Sequence, residues 1–92
     1  MVVRIMGEGQ VRLAKSHLTE LDTLDDELLA EMENGDGPAF RRTLQSLLTK
    51  VRDLGTPLPP DTLQPSDLIL PSPDATLDEV RDLLSDDGLI PG

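Results

Sequence analysis

The sequence lacks cysteine, tryptophan and tyrosine, and Phe40 is the only aromatic residue among its 92 residues. The absence of cysteine excludes disulfide bonds and thiolate chemistry, and it fits a reducing compartment. Because aromatic side chains are nearly missing, aliphatic residues must supply almost all of the apolar burial, and a chain of this length keeps a thin core. We therefore predict a single domain over residues 1–92, with Phe40 buried where two helices pack.

The sequence also has no long apolar run and no excess of positive charge. No stretch approaches the roughly 20 apolar residues of a membrane span, and the N-terminus does not look like a leader segment. With 18 acidic and 8 basic residues, the net charge is −10. A chain with this charge should not bind nucleic acid phosphates or an anionic membrane surface directly. We predict a cytoplasmic protein whose effects at a membrane would run through a partner.

Residues with catalytic or metal-binding chemistry are few. His17 is the only histidine, and the adjacent Ser16 cannot face it from a helix. The GEG turn near the N-terminus lacks the third glycine of a dinucleotide-binding fingerprint. The acidic runs 25–27 and 86–87 are typical of a solvated helix face. We therefore predict that the protein is not an enzyme and has no catalytic residues, no cofactor and no metal site.

Two short apolar stretches near the N-terminus, VVRIM and VRLA, predict a β-hairpin around the three-residue GEG turn. This loop length sets Ile5 opposite Val11 and Arg4 opposite Arg12, so that apolar and charged side chains lie on different faces. Two arginines directly across a strand pair repel each other. We therefore expect an acidic group from the C-terminal part of the chain, or a partner's carboxylate, to bridge them.

Two longer segments with apolar residues three or four positions apart predict an antiparallel helical hairpin. The first segment begins at Ser16, which suits an N-cap, and the second begins near Pro38 and ends at Gly55. The second helix is basic and the first is acidic, and we interpret these charges as internal matching rather than as a partner site. The expected matches place Arg41 and Arg42 near Glu31, Glu33 and Asp36, and Lys50 and Arg52 near Glu20 and Asp22.

A short C-terminal helix is predicted by the spacing of Thr76 and Glu79. These residues form a capping box, in which each side chain can satisfy a backbone N–H at the other's position. Gly88 fits a left-handed residue at the end of this helix, and Leu89 would then pack back on Leu84.

Residues 55–80 hold six of the eight prolines, yet they include the apolar triplet Leu68, Ile69 and Leu70. The triplet is too apolar to leave in water, and the flanking prolines limit it to a short edge position. We predict an edge strand beside the first strand of the hairpin, in preference to a free docking segment that pairs only with a partner. The expected fold is α+β, with a small three-stranded sheet, an antiparallel helical hairpin and a short C-terminal helix.

Four motifs, spread in order from the first strand to the last residue, carry a resemblance to one protein family. They are RIMGEGQ, PSDLILP, TLDEV and the terminal GLIPG. With them the chain resembles PspAA, the PspA-associated proteins of bacterial envelope-stress systems. The resemblance implies a small cytoplasmic protein encoded beside a PspA homologue, the coiled-coil, membrane-remodelling effector of a phage-shock-type response. It implies no catalysis, and it carries over no catalytic or cofactor residues.

The resemblance and the acidic charge together suggest a non-enzymatic accessory protein that binds PspA or a related component and tunes its assembly. The alternative is an acidic DNA mimic that sequesters a transcription factor of the stress operon. A hydrolase or transferase with an unrecognised carboxylate site is the least favoured hypothesis, and homo-oligomerisation is left open. The candidate partner-binding residues lie on the predicted sheet, and they are Arg4, Arg12, Leu68, Ile69 and Leu70.

Overall fold

A computed structural model describes residues 1–61 and 64–83 of the chain. It confirms the α+β class and the predicted helical hairpin, edge strand and short C-terminal helix. The strands are β1 (Val2–Ile5), β2 (Gly9–Arg12), β3 (Thr56–Pro57) and β4 (Leu68–Leu70). The helices are α1 (Leu18–Glu33), α2 (Gly37–Leu54) and α3 (Leu77–Leu83).

The sheet has four strands in the order β3-β2-β1-β4, one strand more than predicted. The additional strand, β3, pairs antiparallel with β2. It has two residues and is therefore too short to show an alternating pattern. One of them is proline, which is depleted in strands. The chain forms it because α2 ends close to β2: a Cβ on Gly55 would lie 3.1 Å from the carbonyl oxygen of Arg12.

The apolar triplet forms the opposite edge of the sheet, as predicted. Strand β4 runs parallel to β1 and sets Ile69 opposite Arg4. Leu68 and Leu70 are buried, whereas Ile69 points to the other face of the sheet. The apolar triplet of the proline-rich stretch is therefore part of the fold.

The register of the β1–β2 hairpin differs from the prediction by two residues. Arg4 lies opposite Gln10 rather than Arg12, and Val3 lies opposite Val11. A shift of two residues keeps every side chain on its predicted face, because the side-chain period of a strand is two. Arg4 and Arg12 therefore remain on their predicted face, although their cross-strand partners change to Gln10 and Val2.

The hairpin loop has the predicted length of three residues but lies one position earlier, at residues 6–8. Its turn is closed by a hydrogen bond from the Glu8 N–H to the carbonyl oxygen of Ile5 at 3.0 Å. Gly7 has a φ of +85°, which matches the third position of a type II turn, where glycine is favoured. This glycine decides where the chain reverses.

Helices α1 and α2 run antiparallel and cover one face of the sheet. Thr43 Oγ1 donates to Glu31 Oε1 near the helix–helix turn, and Lys50 Nζ lies 3.8 Å from Glu20 Oε2 at the other end. Phe40 is 2% exposed, which confirms its predicted burial. It belongs to one continuous core whose other members from α2 are aliphatic: Leu44, Leu47, Leu48 and Val51.

The starts of the two long helices differ in their capping. Helix α1 was predicted to begin at Ser16, but it begins at Leu18. A 3-10 turn at Lys15–His17 precedes it, and no side chain caps its first turn. Helix α2 is capped by Asp36, whose Oδ1 accepts a hydrogen bond from the Ala39 N–H at 3.2 Å. Capping by an aspartate satisfies one of the free N–H groups of the first turn.

The predicted capping box of α3 is present in half. Thr76 Oγ1 accepts a hydrogen bond from the Glu79 N–H at 3.2 Å. Glu79 Oε1 in turn accepts from the Thr76 hydroxyl, at 3.2 Å, rather than from its backbone N–H. The predicted helix end at Gly88 and Leu89 lies outside the described residues.

Charge matching within the helical hairpin is only partly as predicted. Arg52 binds Glu8 of the hairpin loop instead of Asp22. Arg41 and Arg42 are exposed and form no ion pair with any acid of residues 1–61 and 64–83. The two helices therefore neutralise each other's charge less than their sequences indicate.

The acidic run 25–27 is not a uniformly solvated face. Asp26 and Glu27 are exposed, but Asp25 is only 4% exposed and has an interaction partner within the chain. A buried carboxylate needs such a partner, because burial without one is strongly unfavourable.

Replacing Phe40 by alanine should lower the free energy of unfolding by about 3 to 5 kcal/mol, because it leaves a cavity in the core. A reversible urea titration followed by circular dichroism measures this loss. Gln45→Ala, on the exposed side of α2, is the control and should change stability by less than about 0.5 kcal/mol. A loss below about 1 kcal/mol for Phe40→Ala would contradict the packing described above.

Strand β4 should show alternating amide protection. The Met6 N–H donates to the carbonyl oxygen of Leu70 at 3.0 Å, so the backbone groups of Leu70 face β1. Those of Ile69 face away, because successive residues of a strand direct their backbone groups to opposite sides. Hydrogen exchange followed by NMR should be slow at the Leu70 amide and faster at the Ile69 amide. Rapid exchange at both amides would show that β4 does not dock in the free protein.

Candidate functional site

The sheet has an inner face and an outer face. On the inner face, residues of β1, β2 and β4 form one core with the helices. Because side chains alternate along a strand, the outer face carries a second set of residues: Val2, Arg4, Gln10, Arg12 and Ile69.

The chain between β3 and β4 crosses this outer face, and we call it the crossover segment (residues 58–61 and 64–67). Gln10 Nε2 donates to the carbonyl oxygen of Gln64 at 2.8 Å and to Ser66 Oγ at 2.9 Å. Gln10 itself is only 9% exposed. A single β2 side chain therefore holds the segment on the sheet through two hydrogen bonds.

The end of the crossover segment is fastened to β1 by Asp67. Its Oδ2 accepts from the Val2 N–H at 2.7 Å, and its own N–H donates to the carbonyl oxygen of Val2 at 2.8 Å. The acid that was expected to bridge Arg4 and Arg12 is not found, since neither arginine forms an ion pair within residues 1–61 and 64–83. The observed register explains this difference, because the two arginines do not face each other.

Near the hairpin loop, three exposed residues form a surface that we call the outer patch: Arg4, Met6 and Ile69. Arg4 stands opposite Ile69, and Met6, the first residue of the hairpin loop, donates its N–H to the carbonyl oxygen of Leu70, the residue after Ile69, at 3.0 Å. Ile69 is 55% exposed and Met6 is 47% exposed, and they are the large apolar side chains exposed in the described part of the chain. The outer patch therefore joins apolar surface to an arginine without an ion pair.

A cavity of about 410 Å³ opens beside Arg4, and its lining includes Glu8, Arg52 and residues 57–60. Arg52 Nε donates to Glu8 Oε1 at 2.9 Å, and Arg52 Nη2 donates to Glu8 Oε2. These hydrogen bonds raise the pKa of Arg52 above its ordinary value. Such a two-point contact fixes the direction of both side chains.

Comparison with known proteins identifies the family. The sequence model of the PspA-associated protein family matches residues 1–92. The chain belongs to the PspA-associated protein family. This match confirms the resemblance carried by the four motifs. No curated protein and no solved structure matches the chain.

In this PspA-associated protein, two of the five candidate partner-binding residues come together. Arg4 and Ile69 are neighbours in the outer patch. Arg12 is exposed at the far end of β2 and does not line the cavity. Leu68 and Leu70 are buried in the core, so of the triplet only Ile69 offers its side chain to a partner.

Three residues of this site have no counterpart among the sequence-based candidates: Met6, Glu8 and Arg52. Glu8 and Arg52 are separated by 44 positions, and no local pattern joins them. One signal was available, because Arg52 has no acid three or four positions away on its own helix. A basic residue in that position is free to bind elsewhere in the fold.

Within residues 1–61 and 64–83, no three histidine, aspartate or glutamate side chains are grouped so that they could hold a metal ion. None of the helices in these two ranges combines the length and the apolar character that crossing a membrane requires.

Gln10→Glu tests how strongly the crossover segment is held. The substitution keeps the shape of the side chain, but a carboxylate cannot donate to the Gln64 carbonyl and would repel it. We expect the free energy of unfolding to fall by about 1 to 3 kcal/mol and the segment to be cut earlier by a protease. Gln45→Glu, with the same charge change on the exposed side of α2, is the control. Equal stability of the two variants in urea would contradict this role of Gln10.

Proposed function

We propose that this PspA-associated protein is a non-enzymatic accessory protein of a phage-shock-type envelope-stress response and acts in the cytoplasm. It binds PspA or a related component and tunes its assembly. The match of the family over residues 1–92 supports an accessory role in the PspA system. The partner is a PspA-like coiled-coil protein, and this partner rather than the acidic accessory chain contacts the membrane.

The outer patch is the observation that carries the binding proposal. Ile69, opposite Arg4 on β4, and Met6, two residues after Arg4, both expose apolar surface. Arg4 has no ion pair among the described residues. Methionine and arginine are enriched at protein–protein interfaces, where a partner removes water from the apolar surface. The inner face of the sheet is already covered by the helices, so the outer patch is the face of the sheet that a partner can reach.

Binding of this kind would tune assembly by mass action. Coiled-coil proteins associate through repeated helix surfaces. A protein that covers such a surface on the free subunit stabilises the unassembled form, by an amount set by its concentration relative to its Kd. Tighter binding to the assembled form would act in the opposite direction. Light scattering of the PspA homologue, with and without this protein, measures the direction.

Ile69→Thr and Ile69→Val form a matched pair that tests the binding surface. Both residues are β-branched and of similar shape, so β4 should remain intact in both. The Ile69→Thr chain loses apolar contact with the partner. It should bind the PspA homologue about tenfold more weakly than the unmodified chain, which corresponds to about 1.4 kcal/mol. Valine should bind within about threefold of the unmodified chain. Isothermal titration calorimetry measures both affinities, and equal affinities would exclude the outer patch.

Binding by the unmodified chain tests the proposal as a whole. If the unmodified chain does not bind the PspA homologue, the proposed function is wrong. Pull-down from cell extract then shows what is bound instead. Recovery of a transcription factor without PspA would support the alternative, an acidic DNA mimic, whose charge would come largely from α1, a helix with seven acids and no base.

A further inference from the structure

We propose that the cavity beside Arg4 takes a carboxylate side chain, aspartate or glutamate, from the PspA-like coiled coil. This inference rests on the proposed function and names the chemistry by which the outer patch recognises its partner. The partner's acid would enter the cavity while neighbouring apolar residues of the same helix cover Met6 and Ile69.

The cavity carries one uncompensated positive charge. Its ionised lining groups are Arg4, Glu8 and Arg52. Arg52 binds both carboxylate oxygens of Glu8, and Arg4 forms no ion pair with any acid in the described ranges. The one acid that lines the cavity is thus already engaged, and the Arg4 guanidinium is left for an acid of the partner.

This local charge is opposite in sign to the charge of the whole chain, which is −10. At physiological ionic strength, exposed charges further apart than about 8 Å are largely screened. An approaching carboxylate therefore responds mainly to Arg4 at contact distance.

The walls of the cavity would strengthen an ion pair between Arg4 and a carboxylate of the partner. Residues 57–60 line it and include three prolines, whose rings fix the backbone and keep one wall apolar. Fewer water molecules around the ions lower the effective dielectric constant and make the attraction stronger than on an open surface. Arginine also matches a carboxylate with two parallel hydrogen bonds, which lysine cannot do. The volume of about 410 Å³ is ample for an acidic side chain.

A helical partner fits the arrangement of patch and cavity. Arg4 on β1 lies between Ile69 on β4 and the cavity on the β2 side, and neighbouring strands are about 4.8 Å apart. Residues three or four positions apart on a helix have Cβ atoms about 5 to 6 Å apart. Coiled coils carry charged residues beside their apolar seam, so one helix can place an apolar residue on Ile69 and an acid beside Arg4.

Arg4→Glu, compared with Arg41→Glu, tests the inference. Both substitutions change the net charge by the same amount, and both arginines are exposed without an ion pair in the described residues, but Arg41 lies on α2. In calorimetric titrations with the PspA homologue, Arg4→Glu should weaken binding by about 30-fold or more. Arg41→Glu should weaken it by less than about threefold. Arg4→Lys should fall between them, because it keeps the charge but loses the paired hydrogen bonds.

Charge exchange identifies the partner's acid. Each exposed acid of the PspA homologue is replaced by arginine in turn, and each variant is titrated with the Arg4→Glu chain. One of these replacements should restore at least about tenfold in affinity, because the pair is then re-formed with reversed charges. The same replacement should weaken binding to the unmodified chain.

The outcomes separate this inference from the proposed function. If the unmodified chain binds the PspA homologue and Arg4→Glu binds equally well, the proposed function stands and the carboxylate inference is overturned. If the unmodified chain does not bind, both fail.

Thermal unfolding of the free variants tests whether an acid of this chain already pairs with Arg4. A Tm of Arg4→Glu more than about 5 °C below that of Arg41→Glu would show that Arg4 is already paired internally, and this would also overturn the inference.

Discussion

The parallel pairing of β4 with β1 is the contact on which the rest of the structure depends. A hairpin of two strands is marginal alone, and β4 adds Leu68 and Leu70 to the core beneath the helices. The same pairing forces the chain to travel from β3 at one edge of the sheet to β4 at the other. It also places Ile69 beside Arg4. One three-residue strand therefore contributes to both the core and the candidate site.

Hydrogen bonds hold the crossover segment between β3 and β4 in one position on the sheet. Gln10 and the backbone of Val2 bind the crossover segment at two points on the sheet. The prolines of the segment reduce the conformational freedom that folding must remove. A surface that is ordered before binding loses less entropy when a partner arrives. The proline-rich stretch is thus both a structural element and the wall of the proposed recognition site.

In this acidic chain, the arginines without an ion pair are the notable charges. Acids outnumber bases by 18 to 8, yet Arg52 and Arg81 are the only arginines that form ion pairs within residues 1–61 and 64–83. Arg52 does so through Glu8, and this pair leaves Arg4 as a cation of the cavity without a counterion among the described residues. The pairing of Arg52 with Glu8 thereby leaves the cavity with the positive charge of Arg4. The exposed Arg41 lies on α2 and provides a natural control for charge alone.

The sequence by itself determined the elements with a local signature and the family. Apolar spacing predicted both long helices, an isolated apolar triplet between prolines predicted β4, and the lone aromatic Phe40 predicted a core position. The two-residue period of strands also determined that Arg4 and Arg12 share a face, and this holds despite the shifted register. Ile69 was a candidate as a member of the triplet, and the sequence did not separate it from Leu68 and Leu70.

Only the tertiary structure decided β3, the hairpin register, the partner of Arg52 and the cavity. The contacts that set the cavity join residues 44 to 56 positions apart. The free energy of a single exposed ion pair is about 0 to 1 kcal/mol, so several acids compete for Arg52 on nearly equal terms. The choice among them depends on where the packed backbone places each side chain, and a local sequence pattern does not contain that information.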